Sequence, residues 1–242
     1  MIKSLVMVAF VILTVGSKPK QLARCIRSIK SNFDSSDLFE IILVGNNIPS
    51  VDLDGVKVVE DLDKKEFLGA RKNIGTENSC GDILVHCDDD IIFPSNWFRN
   101  FNMFNEEWEI MGNKVLLPDG GRYWDRSIYF PKHHMVDYDF YSDDVTFYQS
   151  GAFSICKKSL LNKIRWSDDI PFYAMSKGFE YNEDVEFSIR LKSAGIKISF
   201  DKNNTVWHDD DSYLSNGFTC NKRQNQDDLK TKCLNFIIDS NI

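Results

Sequence analysis

Over residues 5–15 an apolar run is broken only by Thr14, and Gly16-Ser17-Lys18-Pro19 stops it with turn residues. A short continuous run with such bounds is the pattern of a central parallel strand, covered on both faces. The period then changes. Leu22, Cys25, Ile26 and Ile29 fall on one stripe at helical spacing, so an amphipathic helix is expected over about residues 19–31, with Pro19 near its start. Residues 39–44 repeat the buried-strand pattern and end at Gly45-Asn46-Asn47, and residues 56–59 make a short third strand. A second helix is expected over residues 64–78. A fourth strand over residues 82–87 runs directly into Asp88-Asp89-Asp90. Strands alternating with helices predict an α/β fold, a parallel sheet with helices on its faces. Ligands of such sheets bind outside the carboxyl ends of the strands. Val15-Gly16, Gly45-Asn46, Glu60-Asp61 and the Asp triplet all follow strands and should gather at that edge.

The second half is less periodic. Residues 105–150 mix Trp, Tyr, Phe, Asp and turn residues, which predicts a loop-rich region laid over the sheet edge. Residues 153–156 read as a strand and 158–164 as a short helix. Asn182 is the expected N-cap of a helix over 183–194, with Arg190 and Lys192 in its last turns and Gly195 after its end. Residues 196–200 and 206–208 read as two strands and 228–238 as a final amphipathic helix. Without repeats, low-complexity tracts or a Pro/Ser linker, the 242 residues are expected to form one domain.

Composition narrows the function. With 43% hydrophobic and 13% aromatic residues the chain is too apolar to be disordered. Its 29 Lys+Arg against 36 Asp+Glu, a net charge of −7, argue against nucleic acid and anionic membrane as partners. Six cysteines without a C-x-x-C pair fit free thiols in a reducing compartment, so a cytoplasmic location is expected. The run over residues 5–15, behind Lys3, also resembles the start of a signal peptide, but no A-x-A-like cleavage site follows it. It is too short to span a bilayer, so no transmembrane segment is expected. The sequon Asn203-Asn204-Thr205 has no meaning in the cytosol.

Three clusters carry candidate chemistry. Adjacent aspartates at a buried strand end repel one another, and a hard divalent cation removes that cost. Alternation along the chain lets Asp88 and Asp90 share a side while Asp89 points away. A solvated acidic turn is the alternative, against which stand the apolar residues leading in and out. Glu183-Asp184 on a first helical turn gains from the macrodipole, and the same field keeps a carboxylate ionised for use as a general base. His208-Asp209-Asp210-Asp211 follows a strand as the Asp triplet does, and an imidazole beside two carboxylates favours Mn2+ over Mg2+. His86, His133 and His134 are assigned no function. Trp108, Tyr123, Trp124, Tyr129, Tyr138 and Phe140 are candidate acceptor-stacking residues or core. Arg122, Trp124 and Asp125 form the cluster singled out for an acceptor.

The order of Ala70-Arg71-Lys72-Asn73-Ile74-Gly75, the strand ending in Asp88-Asp89-Asp90, Glu183-Asp184 with Arg190-Leu191 and Gly195, and Val206-Trp207-His208 resembles the inverting family 2 glycosyltransferases of the GT-A fold. The resemblance covers roughly residues 5–210. It implies a mostly parallel central sheet flanked by helices, a nucleotide-binding half over residues 1–104 and an acceptor-binding and catalytic half over 105–242. Its Asp-x-Asp motif implies that Asp88 and Asp89 meet the donor and that Asp88 and Asp90 hold the metal, with His208 closing the site. The catalytic base falls on Asp184, with Glu183 second. Thr14, Val15 and Gly16 match the nucleotide-contacting turn, and Gly151 the small-residue loop beside the donor. Arg71, Lys72 and Asn73 stand where the family has Ala-Arg-Asn, so Lys72 replaces the usual arginine and brings charge without a bidentate fork. Asn46 stands where an acidic pair often contacts the base, and its amide can donate and accept. The implied reaction is metal-dependent inverting transfer of a sugar from a nucleoside-diphosphate donor to a hydroxyl of a glycan or other acceptor, with Mn2+ or Mg2+. A non-catalytic nucleotide-sugar or glycan-binding module would not need Glu183-Asp184 and His208. A sugar nucleotidyltransferase would carry a Gly-rich basic loop after the first strand, where Thr14-Val15-Gly16-Ser17-Lys18-Pro19 has one Gly.

Overall fold

A computed structural model describes residues 6–34, 38–61, 67–129, 133–140, 147–171 and 174–209. The first apolar run forms β1 (Val8–Thr14), with all seven residues buried. Its side chains alternate between two cores. Val8, Phe10 and Ile12 join Leu22, Ile26 and Ile29 of α1 (Pro19–Lys30) on one face. Ala9, Val11 and Leu13 join Trp166, Phe187 and Leu191 on the other. A strand between two such layers has no position for a polar residue until its end, and burial of each large aliphatic side chain there contributes roughly 1.5–3 kcal/mol.

β1 pairs in parallel with β2 (Phe39–Gly45) and β4 (Ile83–Asp88), and β3 (Val56–Glu60) adds to β2 in parallel. Beyond β4 lie β10 (Phe153–Lys157), β6 (Ile110–Leu116), β11 (Ile198–His208) and β5 (Ile91–Ile92), giving an eight-stranded order β3-β2-β1-β4-β10-β6-β11-β5. β10 is antiparallel to both its neighbours, β6 and β11 are parallel, and β5 is antiparallel to β11. Helices α2 (Leu68–Glu77), α3 (Trp97–Met103), α4 (Lys158–Leu161) and α5 (Glu183–Ser193) complete the layers.

The structure departs from the sequence expectation in the second half. Residues 110–116 are not a loop but β6, an interior strand. Ile110-Met111-Gly112-Asn113 is buried throughout, so no alternation marks it, and its Gly and Asn read as turn residues. A small antiparallel sheet of β7 (Ser127–Tyr129), β8 (His133–Met135) and β9 (Phe147–Tyr148) also forms there. The two strands expected over 196–208 are one, β11, with a register shift between Asp201 and Thr205. The helix expected over 228–238, with Asp210 and Asp211, lies outside the described residues. Among the described residues no helix is long and apolar enough to cross a membrane, and Cys25, Cys80, Cys87 and Cys156 are free.

Candidate active site

The parallel register sets Thr14 beside Gly45 and Gly45 beside Glu60, so the turns after β1, β2 and β3 share one edge. Arg71 of α2 ties them together from within. Its Nε donates to Asp61 Oδ2 at 3.2 Å, Nη1 to the Thr14 carbonyl at 3.1 Å and Nη2 to Asn46 Oδ1 at 3.0 Å. Gly16 takes a left-handed φ of 77°, and a Cβ there would lie 2.0 Å from the Asn47 carbonyl oxygen, so these two turns meet backbone to backbone. Val15 remains exposed beside them.

The donor contacts implied for Arg71, Lys72 and Asn73 meet a different arrangement, because α2 buries all three side chains. Buried polar groups must find partners inside. Asn73 accepts from the Trp166 N–H at 3.1 Å and donates to the Trp166 carbonyl and to Asp168, both at 2.8 Å. The Lys72 ammonium lies 3.5 Å from Glu183 Oε1 and 3.8 Å from the centre of the Trp166 ring.

Asp88, Asp90 and His208 each place one ligand atom within 4.8 Å of the others. Asp88 ends β4, Asp90 lies in the turn to β5, and pairing of His208 with Ile91 brings the end of β11 alongside. The Asp209 N–H donates to the Asp90 carbonyl at 2.8 Å, fixing that approach. His208 Nε2 stands 3.5 Å from Asp90 Oδ1, and the Tyr123 ring stacks on the imidazole at 4.0 Å. The other Asp90 oxygen binds Lys18 Nζ at 2.7 Å. Asp89 turns the opposite way, accepting from the Thr14 hydroxyl. Desolvation, then the neighbouring Asp90 charge, hold half-buried Asp88 well above the ordinary carboxylate range. Burial pushes Asp89 up to about 6, against the Thr14 hydrogen bond. Asp90 Oδ1 is buried and accepts no hydrogen bond among the described residues. Two crowded carboxylates and an imidazole, with that oxygen open, form an O,O,N donor set that fits a divalent cation of the Mn2+ type.

Glu183 and Asp184 open α5 after Asn182, whose backbone has cap geometry but whose side chain makes no cap bond and accepts from the Met175 N–H instead. Asp184 Oδ2 accepts from the Gly151 N–H at 3.2 Å and Oδ1 from the Val185 N–H at 2.9 Å. The next residue, Ala152, accepts the Asp88 N–H at 3.0 Å. Gly151 and Ala152 therefore join the helix start to the end of β4. A Cβ on Gly151 would lie 2.9 Å from Glu183 Oε1. Burial, then the Glu183 charge, raise Asp184 to about 7, with Lys72 opposing.

Arg122 and Asp125 are spent on their own segment. Asp125 accepts from Arg122 Nε at 3.1 Å, from the Val115 N–H at 3.1 Å and from the Tyr138 hydroxyl at 2.9 Å, while Arg122 also donates to the Val136 carbonyl at 2.6 Å. Between them Trp124 takes a positive φ of 33°, a strained backbone for a bulky residue. A cavity of about 890 Å³ lies elsewhere, lined by the first half of β11, Lys192 and Phe104, at the opposite ends of β11 and α5 from His208 and Glu183. Glu106, Asp139 and Asp201 line it, whereas the metal-fitting trio found among the described residues lies at the Asp88 edge. The sequence reading assigned no role to Asp61 or Lys18. Position after a strand was the signal for Asp61, whereas nothing in the local sequence of Lys18 points to Asp90.

No family model matches the chain, and no curated protein matches it by sequence. Solved structures do. That of GalNAc-T7 with UDP, GalNAc and Mn2+ superposes with a TM-score of 0.65 at 15% identity, covering 86% of this chain and 44% of the other. The 1–349 structure of S. aureus TarS gives 0.57 at 14% identity over 87% of this chain and 62% of its own. A further S. aureus TarS structure gives 0.58 at 14% over 84% and 37%. The chain thus spans less than two thirds of the length of each. These neighbours are GT-A glycosyltransferases, and the curled, mostly parallel sheet flanked by helices described above is the GT-A fold.

Proposed function

We propose that the chain is a metal-dependent inverting glycosyltransferase that moves a sugar from a nucleoside-diphosphate donor to a hydroxyl of a glycan or other acceptor. The observation that carries this reading is the bridge of Gly151 and Ala152, which fastens Asp184 to the strand end whose Asp88 and Asp90 meet His208. A binding module would need the metal-fitting trio but not a second carboxylate held at a fixed place beside it. The neighbour with UDP, GalNAc and Mn2+ supports a nucleotide-sugar as the donor class.

Asp184 is the base of this reading. Glu183 is committed to the Lys72 ammonium, whereas Asp184 is oriented by two N–H groups and raised to about 7, close to the working range of a general base. Ionised, it takes the acceptor hydroxyl proton as the oxygen attacks the anomeric carbon from the face opposite the leaving diphosphate. A divalent cation held by Asp88, Asp90 and His208 would supply charge stabilisation to that diphosphate. The nucleotide lies along the turns carrying Thr14, Val15, Gly16 and Asn46, with Asp89 and Gly151 beside it. Arg71, Lys72 and Asn73 support those turns and α5 from behind. Trp124 offers an aromatic face to the acceptor, and Arg122 and Asp125 hold its segment. Residues 1–104 then form the donor half and 105–242 the acceptor half of one domain, and the free thiols fit the cytoplasm.

The test is release of nucleoside diphosphate from a panel of nucleotide-sugars with Mn2+. Release that Asp184→Asn abolishes supports transfer. Pyrophosphate-dependent cleavage to a sugar phosphate would mark a nucleotidyltransferase, and binding without release a non-catalytic module.

A further inference from the structure

We propose that Lys18 couples the two ligands of this site: its ammonium holds Asp90 until a divalent cation arrives with the donor, and then passes to the donor's diphosphate. The proposal rests on the metal-dependent reading above. Lys18 occupies the N-cap position of α1, where Ser, Thr, Asp or Asn would accept a helix N–H, and it makes no side-chain cap. Its side chain instead crosses to Asp90 Oδ2 at 2.7 Å, while Asp90 Oδ1 faces His208. One carboxylate therefore serves an ammonium on one oxygen and the metal-fitting group on the other. A divalent cation at the trio would stand only a few ångström from the ammonium, so the two positive charges compete for Asp90.

The side chain of Lys18 is 33% exposed at the mouth of this edge, whereas that of Lys72 is 0% exposed and paired with Glu183. Lys18 also follows the β1 turn, at the edge where the four parallel strands deliver their ends. An arriving diphosphate offers the displaced ammonium new oxygens, and repulsion from the metal becomes attraction to the donor. Metal and donor thereby favour each other's binding, and linkage makes that coupling equal in both directions.

The experiment is Mn2+ titration by electron paramagnetic resonance of the free ion, with and without UDP, and with pyrophosphate as a base-free probe. Lys18→Met should bind Mn2+ alone about three- to tenfold more tightly than wild type, the order expected of one unit charge nearby at a partly exposed site. The same variant should lose most of the increase in Mn2+ affinity that UDP or pyrophosphate produces, and Lys18→Arg should keep both wild-type behaviours. Unchanged or weaker Mn2+ binding by Lys18→Met overturns the coupling. Asp90→Asn reports on the parent reading separately: if it binds Mn2+ as wild type does, or if no form binds Mn2+, the metal site falls and the proposal with it.

Discussion

The Asp184 carboxylate sits between two N–H donors in a place that burial and Glu183 make unfavourable for charge, and its pKa of about 7 has a consequence for stability. An unfolded aspartate titrates near about 3.9. Between these values the folded protein keeps a proton that the unfolded chain has lost. Stability from this group is therefore full below about pH 4 and declines as pH rises through about 7. Asp184→Asn should gain about 1–2 kcal/mol in urea denaturation at pH 8, after allowance for partial exposure, while transfer falls by about 10²- to 10⁴-fold. The pH profile of kcat/KM should rise on the acid side with an apparent pKa close to 7. Gly151→Ala tests the same carboxylates by crowding. Its Cβ would meet Glu183 Oε1, and a displaced pair should cost about tenfold or more in kcat with little change in unfolding midpoint. The convergence of Asp88, Asp90 and His208 was legible because Asp88 and His208 end strands that the apolar pattern marks and Asp90 follows in the turn. The inward turn of Arg71, Lys72 and Asn73 was not, because a motif read along the chain does not say which face of α2 meets the sheet.

At the scale of elements, α2 acts as a brace whose Arg71 and Asn73 are hydrogen-bonded inside. Arg71 reaches the turns after β1, β2 and β3 at once, beside the close approach of Gly16 to Asn47 and the Asp61 N–H to Gly45 carbonyl bond, and it pairs with buried Asp61. Arg71→Met should destabilise by roughly 3–5 kcal/mol in urea denaturation, because an uncompensated buried carboxylate remains. Arg71→Lys should recover only part of that, since one ammonium cannot reach three acceptors in a fork. The first half of the sheet was readable to within a few residues, because β1, β2 and β4 are apolar on both faces and their turns are marked by Gly, Asn and Pro. β6 escaped notice for the opposite reason. Its buried Gly112 and Asn113 pack against neighbours but carry no local signature of a strand. β11 looked like two strands because the residues at its register shift, Lys202-Asn203-Asn204, are those of a turn.

For the whole molecule, part of the surplus of negative charge gathers in one place. Asp88, Asp89, Asp90, Glu183, Asp184 and Asp209 lie at one end of the sheet, with Lys18, Arg24 and Lys72 as nearby cations. Mn2+ should therefore raise the thermal unfolding midpoint in a concentration-dependent way, and Asp90→Asn should remove that rise. Differential scanning fluorimetry reads both outcomes, and a chelator should abolish transfer without unfolding the protein.

The pairing of β11 with β5 and β6 also sets an order of events during synthesis. The ribosome delivers β1 to β4, with Lys18 and the Asp triplet, long before His208 leaves the exit tunnel. The strand that carries the imidazole can dock only once the rest of its sheet has emerged. Lys18 and the two aspartates of the trio thus precede its imidazole in the chain, and the metal-fitting trio is complete only when β11 is in place.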